Sequence, residues 1–506
     1  MSRFCKQESF AELTSDVVLQ ASRRRFLRQS AIVLAIAAGG LPLYAADEPA
    51  AEQTEKPATA SEAVDLSVDA TNDRPQQVKV AVETAGQMKM NPDGKEVKYL
   101  PLSVTAELNF VQRRLPAIEK SSAVRIARHH SAAEAKYNLK NTEFKQALRD
   151  DRRLLVVQSE GDAATIFSPL GPLSREELEL VDVPGTAVLP ELLLPGKSLK
   201  PGETWNLPDA AVVRLLSLEA VHKHDVVGKF DEMRDGVAIL SLEGKVSGAV
   251  GGVSSESALR AKLNFDPKLR MLTWLAISLN ENRAIGHAQP GYDVTSRIRI
   301  LTTQAKEAAE LSESSLSGLP LVAKAGESLL AFRSDKGGFE LVHDRRWRVM
   351  TERYDSAILR MIDRGDLIAQ CNVAKLKDFG KDDKLTLEAF QADVKQALEK
   401  QKAQINEASE STSDAGIKIL RLQVLGFTAE LPIQWTYYHL SDSAGRRASI
   451  VFTIDQKLVA NYAHIDQEII SGFQFFQPVR DASSEPTPAE QPKGETAQKA
   501  DSKSSR

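Results

Sequence analysis

Eight histidines and two cysteines are spread over 506 residues, so acid–base or nucleophilic chemistry has few places to sit. Cys5 lies in the N-terminal segment, which leaves Cys371 as the one thiol of the chain body. A thiol nucleophile needs a base beside it, and His343 or His439 could supply one if the fold brings them together. Against that, Ile368, Ala369 and Val373 surround Cys371 on a predicted central strand, where cysteine behaves as a small hydrophobe. The inert reading is preferred, and no residue is assigned a catalytic role. His222 and His224 fall on one face of a predicted strand, while His129 and His130 point to opposite faces. A metal needs three or four convergent ligands, so no metal is expected from these. Arg345-Arg346 and Arg446-Arg447 could form an anion site with Arg360 and Arg421. The plainer reading pairs them with Asp344 and Asp442 on a solvated face. Trp435 and Tyr437 share a strand face and Tyr438 takes the other, so one face must be core and the other could expose an aromatic as a partner surface. No G-x-G-x-x-G after a strand, no C-x-x-C and no H-E-x-x-H occurs, so no cofactor is expected.

The elements that must position these residues read as two domains, 76–304 and 327–478, joined by a polar linker at 305–326. The first reads as mainly antiparallel β, a curved sheet or half-barrel. Val78–Val82 and Leu102–Phe110 alternate apolar and polar, and Leu154–Val157 and Ala163–Phe167 make a hairpin across Gly161-Asp162. Ser174-Arg-Glu-Glu177 is a capping box that opens a short helix. A turn-rich bridge from Leu194 ends in a buried Trp205, and long strands then run to Thr302. Gly248–Gly252 reads as a bend or bulge, and Arg364-Gly365-Asp366 as a hairpin turn. The second domain reads as an α+β sandwich. Its strands Gly338–Val342 and Arg346–Met350 look paired, and Ala357–Met361 with Leu367–Val373 forms a hairpin. A helix follows near Thr386 with Phe390, Val394, Ala397 and Leu398 on one face, then strands 417–426, 429–440 and 447–454. A last helix carries Tyr462, Ile465 and Ile469. Segments 46–75 and 479–506 are too poor in large apolar residues to offset their ordering entropy and are expected to be disordered.

The segment Ser22-Arg23-Arg24-Arg25-Phe26-Leu27-Arg28 resembles a twin-arginine export signal, S-R-R-x-F-L-K, with Arg28 in the lysine place. The apolar run Ala31–Leu43 behind it is short of the roughly 20 residues of a membrane span, and Leu43-Tyr44-Ala45 offers a cleavage end. This implies export by the twin-arginine translocase and a mature chain in the periplasm or beyond, with no membrane span, no lipid anchor and no internal disulfide. The net charge of −4, with both signs interspersed, gives no reason to expect nucleic acid as a partner.

The order hairpin, helix, three-strand meander, helix, with Trp347 at its start and Trp435-Thr-Tyr-Tyr438 in the meander, resembles the PsbP-type α+β sandwich over roughly 329–476. That resemblance implies a binding or assembly role. The β-rich part is similar to uncharacterised secreted bacterial proteins. The expectation is therefore a non-enzymatic envelope protein that binds a protein partner or an apolar ligand. The rival reading is a hydrolase whose active-site residues are scattered along the chain. A deep cleft that brings Cys371 to a histidine, or several carboxylates together, would favour the rival.

Overall fold

The computed structural model describes residues 62–91, 96–324, 328–380, 384–401, 403–428 and 430–477. The export motif at Ser22, Arg23, Arg24, Phe26 and Leu27 and the tail 479–506 lie outside the described residues. The chain is mostly antiparallel β. Among the described residues it forms one 13-stranded sheet, one seven-stranded sheet and two small ones.

The large sheet is a meander of long strands. Gln76–Met90 sits at its centre, with Lys98–Arg114 and Val124–Leu139 on one side and Gly291–Gln304, Met271–Arg283, Val253–Asp266 and Val237–Val250 on the other. Strict alternation gives each strand one buried face, as along Val253–Asp266, where Leu259, Ala261, Leu263 and Phe265 point inward. That face is covered by the chain's own segment 166–218. Its helices Arg175–Val181 and Asp209–Leu215 contribute Leu178, Leu180, Val181, Ala211, Val212 and Leu215 to one continuous core. Each large side chain so buried contributes on the order of 1.5–3 kcal/mol. The sheet stays open, and helix Asp209–Leu215 lies between its two edges. The helix packs on Ala163–Phe167 at one edge and Ala220–His224 at the other, and Arg214 donates to the Gly161 carbonyl.

Several expectations change here. Residues 62–75 are ordered, because Val64–Asp65 pairs with Ser198–Leu199 and Leu66 is fully buried. The described part of the polar stretch, 305–324, packs on the large sheet. Leu311 and Leu316 pack with Leu115, Ala127 and Leu154 on the outer face of the large sheet, and Leu321 accepts from Arg125 through its carbonyl. Gly248–Gly252 is not a bulge. Gly251 and Gly252 are the two-residue turn between paired Val250 and Val253, both at positive φ as such turns demand.

The seven-stranded sheet runs in the order Trp347–Glu352, Ser356–Asp363, Asp366–Leu376, Arg447–Asp455, Leu431–Ser441, Lys418–Thr428, Gln404–Thr412. The last of these, an exposed polar edge, is absent from the sequence reading. Phe339–His343 pairs not with Trp347–Glu352 but with Leu330–Ser334 and Gln474–Phe475 in a separate three-stranded sheet. Helix Ile465–Ser471 starts after Tyr462, and helix Leu387–Ala397 is capped by Thr386 as read. No helix of the described residues is long and apolar enough to cross a membrane.

The two large sheets meet at one end of the 13-stranded sheet. Leu173 bridges Leu330, Ala331 N–H donates to the Leu173 carbonyl, and Arg360 reaches the His287 carbonyl at 3.4 Å. Arg345 donates to the carbonyls of Ser328 and Ile166, and Arg175 to that of Trp347. The hairpin tip at Gly252 touches the hairpin turn at Gly365 backbone to backbone.

Candidate functional site

The opposite end of the large sheet holds a cavity of about 130 Å³, between the strand ends and the covering segment. Its wall is apolar where Val78, Leu193, Met271, Leu275 and Ile300 converge. Five arginines and two carboxylates complete it: Arg74, Arg113, Arg114, Arg128 and Arg270 against Asp69 and Glu191. The cations are not equally available. Arg114 is paired with Glu191 and donates to the Ala70 carbonyl, and Arg270 lies 3.7 Å from Asp65. Arg128 stands apart. Its side chain is buried, its Nε donates to Gln112 Oε1 at 3.1 Å, its Nη2 donates to the Thr186 carbonyl, and its guanidinium lies 4.9 Å from the Phe110 ring centre. Burial lowers it to about 10, with Asp182 pulling the other way from beyond ion-pair distance, so it is cationic at neutral pH.

Local sequence explains how these groups are held. The turn Val183–Thr186 closes on itself, Thr186 N–H and Oγ1 both donating to the Val183 carbonyl, which fixes the Thr186 carbonyl for Arg128. Gly185, at φ 87°, runs close under Ile277 and Ile300, where a Cβ would fall 2.8 Å from Ile277 Cδ1. The helix before this turn is anchored by Glu177, which takes part in the capping box with Ser174 and accepts from Arg149 through both carboxylate oxygens.

The residues named from sequence lie elsewhere. Cys371 is fully buried between Leu359 and Phe452 on neighbouring strands, and burial first, then Asp466, pushes its thiol upward. Among the described residues no histidine hydrogen-bonds to it. His343 Nδ1 donates to the Asp344 carbonyl at 2.8 Å and His439 Nε2 accepts from Arg447 Nε at 3.0 Å. Burial lowers each imidazole to about 4. His224 donates to Asp209 at the start of helix Asp209–Leu215, and a bulge at Val221–Lys223 breaks the shared face expected for His222 and His224. His129 and His130 do face opposite ways, His130 buried against Phe110. Arg346 and Arg446 pair with Asp344 and Asp442 as read, while Arg345, Arg360 and Arg421 go to separate partners and form no common anion site. Trp435 and Tyr438 are buried on opposite faces of one strand and Tyr437 is half-buried beside Trp435, so this strand leaves no aromatic exposed. Both of its faces are core. Tyr438 donates to Asp466 at 2.6 Å and accepts from Arg421. No group of three or more metal-ligating side chains converges among the described residues.

A second, smaller cavity of about 70 Å³ lies where the two sheets meet, lined by Arg175, Glu176, Glu179, His343 and Arg348. Burial pushes the Glu179 carboxyl up, with Arg175 and Arg348 opposing.

The sequence reading missed Arg128, although its neighbours His129 and His130 were singled out. The nearest signal is a cation on the apolar phase of a strand. A bulge at Ser131 hides it by shifting the alternation of Val124–Leu139 by one residue.

No family model matches the chain, and no curated protein matches it. Among solved structures it is similar to the cyanobacterial PsbP, CyanoP, from Synechocystis sp. PCC 6803, with 16% identity, 32% of this chain and 99% of that one covered, and a TM-score of 0.24. It is also similar to the immunity protein TplEi of T6SS from Pseudomonas aeruginosa, complexed with "L" peptide, at 8% identity, covering 51% of this chain and 98% of that one with a TM-score of 0.19. The translocator domain of the autotransporter NalP from Neisseria meningitidis matches at 9% identity over 76% of this chain and 88% of that one, with a TM-score of 0.13.

Proposed function

We propose that this is an exported, non-catalytic binding protein of the cell envelope, whose ligand site is the cavity at the free end of the large sheet. The observation that carries the reading is that cavity, lined by apolar side chains together with five arginines. Supporting it, Cys371 is sealed in the core and His343 and His439 are each committed to a separate partner. In this reading the chain has a β-rich domain at about 76–304 and a PsbP-like α+β domain at about 327–478, the second covering the end of the first that the ligand does not use. The element order of the C-terminal part supports the PsbP-like assignment.

Two experiments test the proposal. A saturation-transfer screen of small apolar fragments against the full chain should give binders that Leu275→Trp, which fills the cavity, abolishes. Binding that survives Leu275→Trp in a folded variant, or no binder at all, refutes the site. Replacing Arg23 and Arg24 together by Lys should leave precursor in the cytoplasm, and continued processing outside the inner membrane would refute twin-arginine export.

A further inference from the structure

We infer that the ligand of this cavity carries one compact anionic group, a carboxylate or a phosphate monoester, seated on Arg128; the inference rests on the proposed reading of the cavity as a ligand site. Arg128 is 4% exposed, and its hydrogen bonds go to the neutral oxygens of Gln112 and Thr186. Asp182 favours its charge from beyond ion-pair distance but does not pair with it; a guanidinium removed from water without a paired carboxylate is costly, and an oxyanion in the cavity offsets that cost. The arginines around it are differently placed. Arg114 already has Glu191 and Arg270 is drawn toward Asp65, while Arg74 is exposed and Arg113 half-buried, so the one fully buried cation of the wall is Arg128.

The geometry also suits an oxyanion. Two committed nitrogens and the Phe110 face fix the plane of the guanidinium, while Nη1 makes no protein hydrogen bond among the described residues. A fixed fork is what carboxylate and phosphate recognition uses. The wall formed by Val78, Leu193, Leu275 and Ile300 offers the anion's carbon body an apolar surface. At about 130 Å³ the space suits a body of roughly benzene size, since an apolar cavity of about 150 Å³ takes benzene.

The test uses four probes of equal chain length with the full protein: hexanoate, hexyl phosphate, 1-hexanol and hexylammonium, measured by titration calorimetry at neutral pH. One of the two anions, or both, should bind at least tenfold tighter than 1-hexanol, and hexylammonium should bind more weakly than 1-hexanol. Which anion leads separates a carboxylate ligand from a phosphate ligand. In Arg128→Met the anion advantage should vanish while 1-hexanol binding is kept. Equal binding of anions and 1-hexanol to the wild type overturns the anion inference and leaves the apolar site standing. Failure of all four probes to bind overturns both. Where Arg128→Met does not fold, the wild-type comparison of the four probes still decides, and Arg128→Lys should retain charge preference with weaker anion binding.

Discussion

Replacing Glu177 by Gln tests how the segment that covers the large sheet is fastened. Glu177 is 1% exposed and accepts four hydrogen bonds: from Arg149 Nε at 2.6 Å, Arg149 Nη2 at 2.7 Å, Arg149 N at 3.1 Å and Ser174 N at 2.8 Å. Oε1 takes two of them and Oε2 the other two. A glutamine can keep the Oε1 pair, but its amide then faces the Ser174 and Arg149 donors with a donor of its own. A hydrogen bond to a charged group contributes about 1.5–3 kcal/mol. Arg149 is about half exposed and water restores part of its loss, so roughly 2–3 kcal/mol of destabilisation is expected at pH 7. Glu177→Ala, which loses both acceptor oxygens, should destabilise more than Glu177→Gln. The pH dependence has a definite sign. Burial alone would raise the Glu177 carboxyl, but the bonds from Arg149 and Ser174 outweigh it and hold it below its ordinary value of 4.5. The stabilisation is therefore complete above pH 4.5 and is lost as pH falls through the lowered value. Urea unfolding from pH 7 to pH 3, with hydrogen exchange on residues 175–181, should show the wild type and Glu177→Gln converging at the acid end. A Gln variant within 0.5 kcal/mol of wild type at pH 7, or a gap that stays constant to pH 3, would refute the reasoning.

Cys371 should react slowly with a thiol reagent in the native protein and fast after unfolding, and Cys371→Ala should cost on the order of 1 kcal/mol; fast stoichiometric labelling of native protein would contradict the core assignment. His343 and His439 sit at about 4, below the ordinary 6.5, so neither should titrate by NMR between pH 5 and 8. Because the unfolded chain takes up those protons first, stability should fall as pH drops from 6.5 toward 4, by up to about 1.4 kcal/mol per histidine per pH unit; a flat stability profile there would count against it. Gly252→Ala should loosen the joint between the two large sheets, since its Cβ would fall 1.9 Å from Gly365 N on a backbone at φ 70°; unchanged exchange protection in 356–376 would show that this contact does no positioning.

What the sequence revealed and what it hid follow from how local each signal is. The capping box at Ser174 and Glu177, the turn at Arg364-Gly365 and the helix begun by Thr386 are settled within four or five residues, and the structure has them as read. Alternation likewise marked the long antiparallel strands. The errors fall where tertiary burial overrules composition. Leu66 lies in the short alternating run Val64–Val68 of a polar segment, and Leu311 and Leu316 are spaced through another; each is buried because a sheet face lies beside it. Phe339–His343 and Trp347–Glu352 look like a hairpin because they are close in sequence, yet each pairs with a different strand. The cavity draws on residues as far apart as Gln76, Arg128, Leu193 and Ile300, a grouping that exists only once the meander is laid out. Trp435 and Tyr438 misled for the opposite reason. A strand covered on both faces carries aromatics on both phases, which alternation alone reads as one buried face and one exposed.

The strand registers explain why the cavity lies at one end of the large sheet and not the other. Gln76 pairs with Gln112 and Gln304, and Asp266 pairs with Met271, so these residues mark the end where Arg128, Arg270 and Met271 gather. The hairpin turn at Gly251-Gly252 and the loop through His287 and Gln289 mark the opposite end, where Arg360 and Gly365 of the seven-stranded sheet are seated. At that end Arg360 donates to the His287 carbonyl of the large sheet's loop. At the other end the same type of residue has a different environment. Arg114 and Arg270 lie against acids there, while Arg128 is held in place by uncharged oxygens. Arginine at the closed end therefore acts as a fastener to backbone, and Arg128 at the other end has no ion-pair partner among the described residues. In the proposed reading this asymmetry sets the seven-stranded sheet at one end of the large sheet and the ligand cavity at the other.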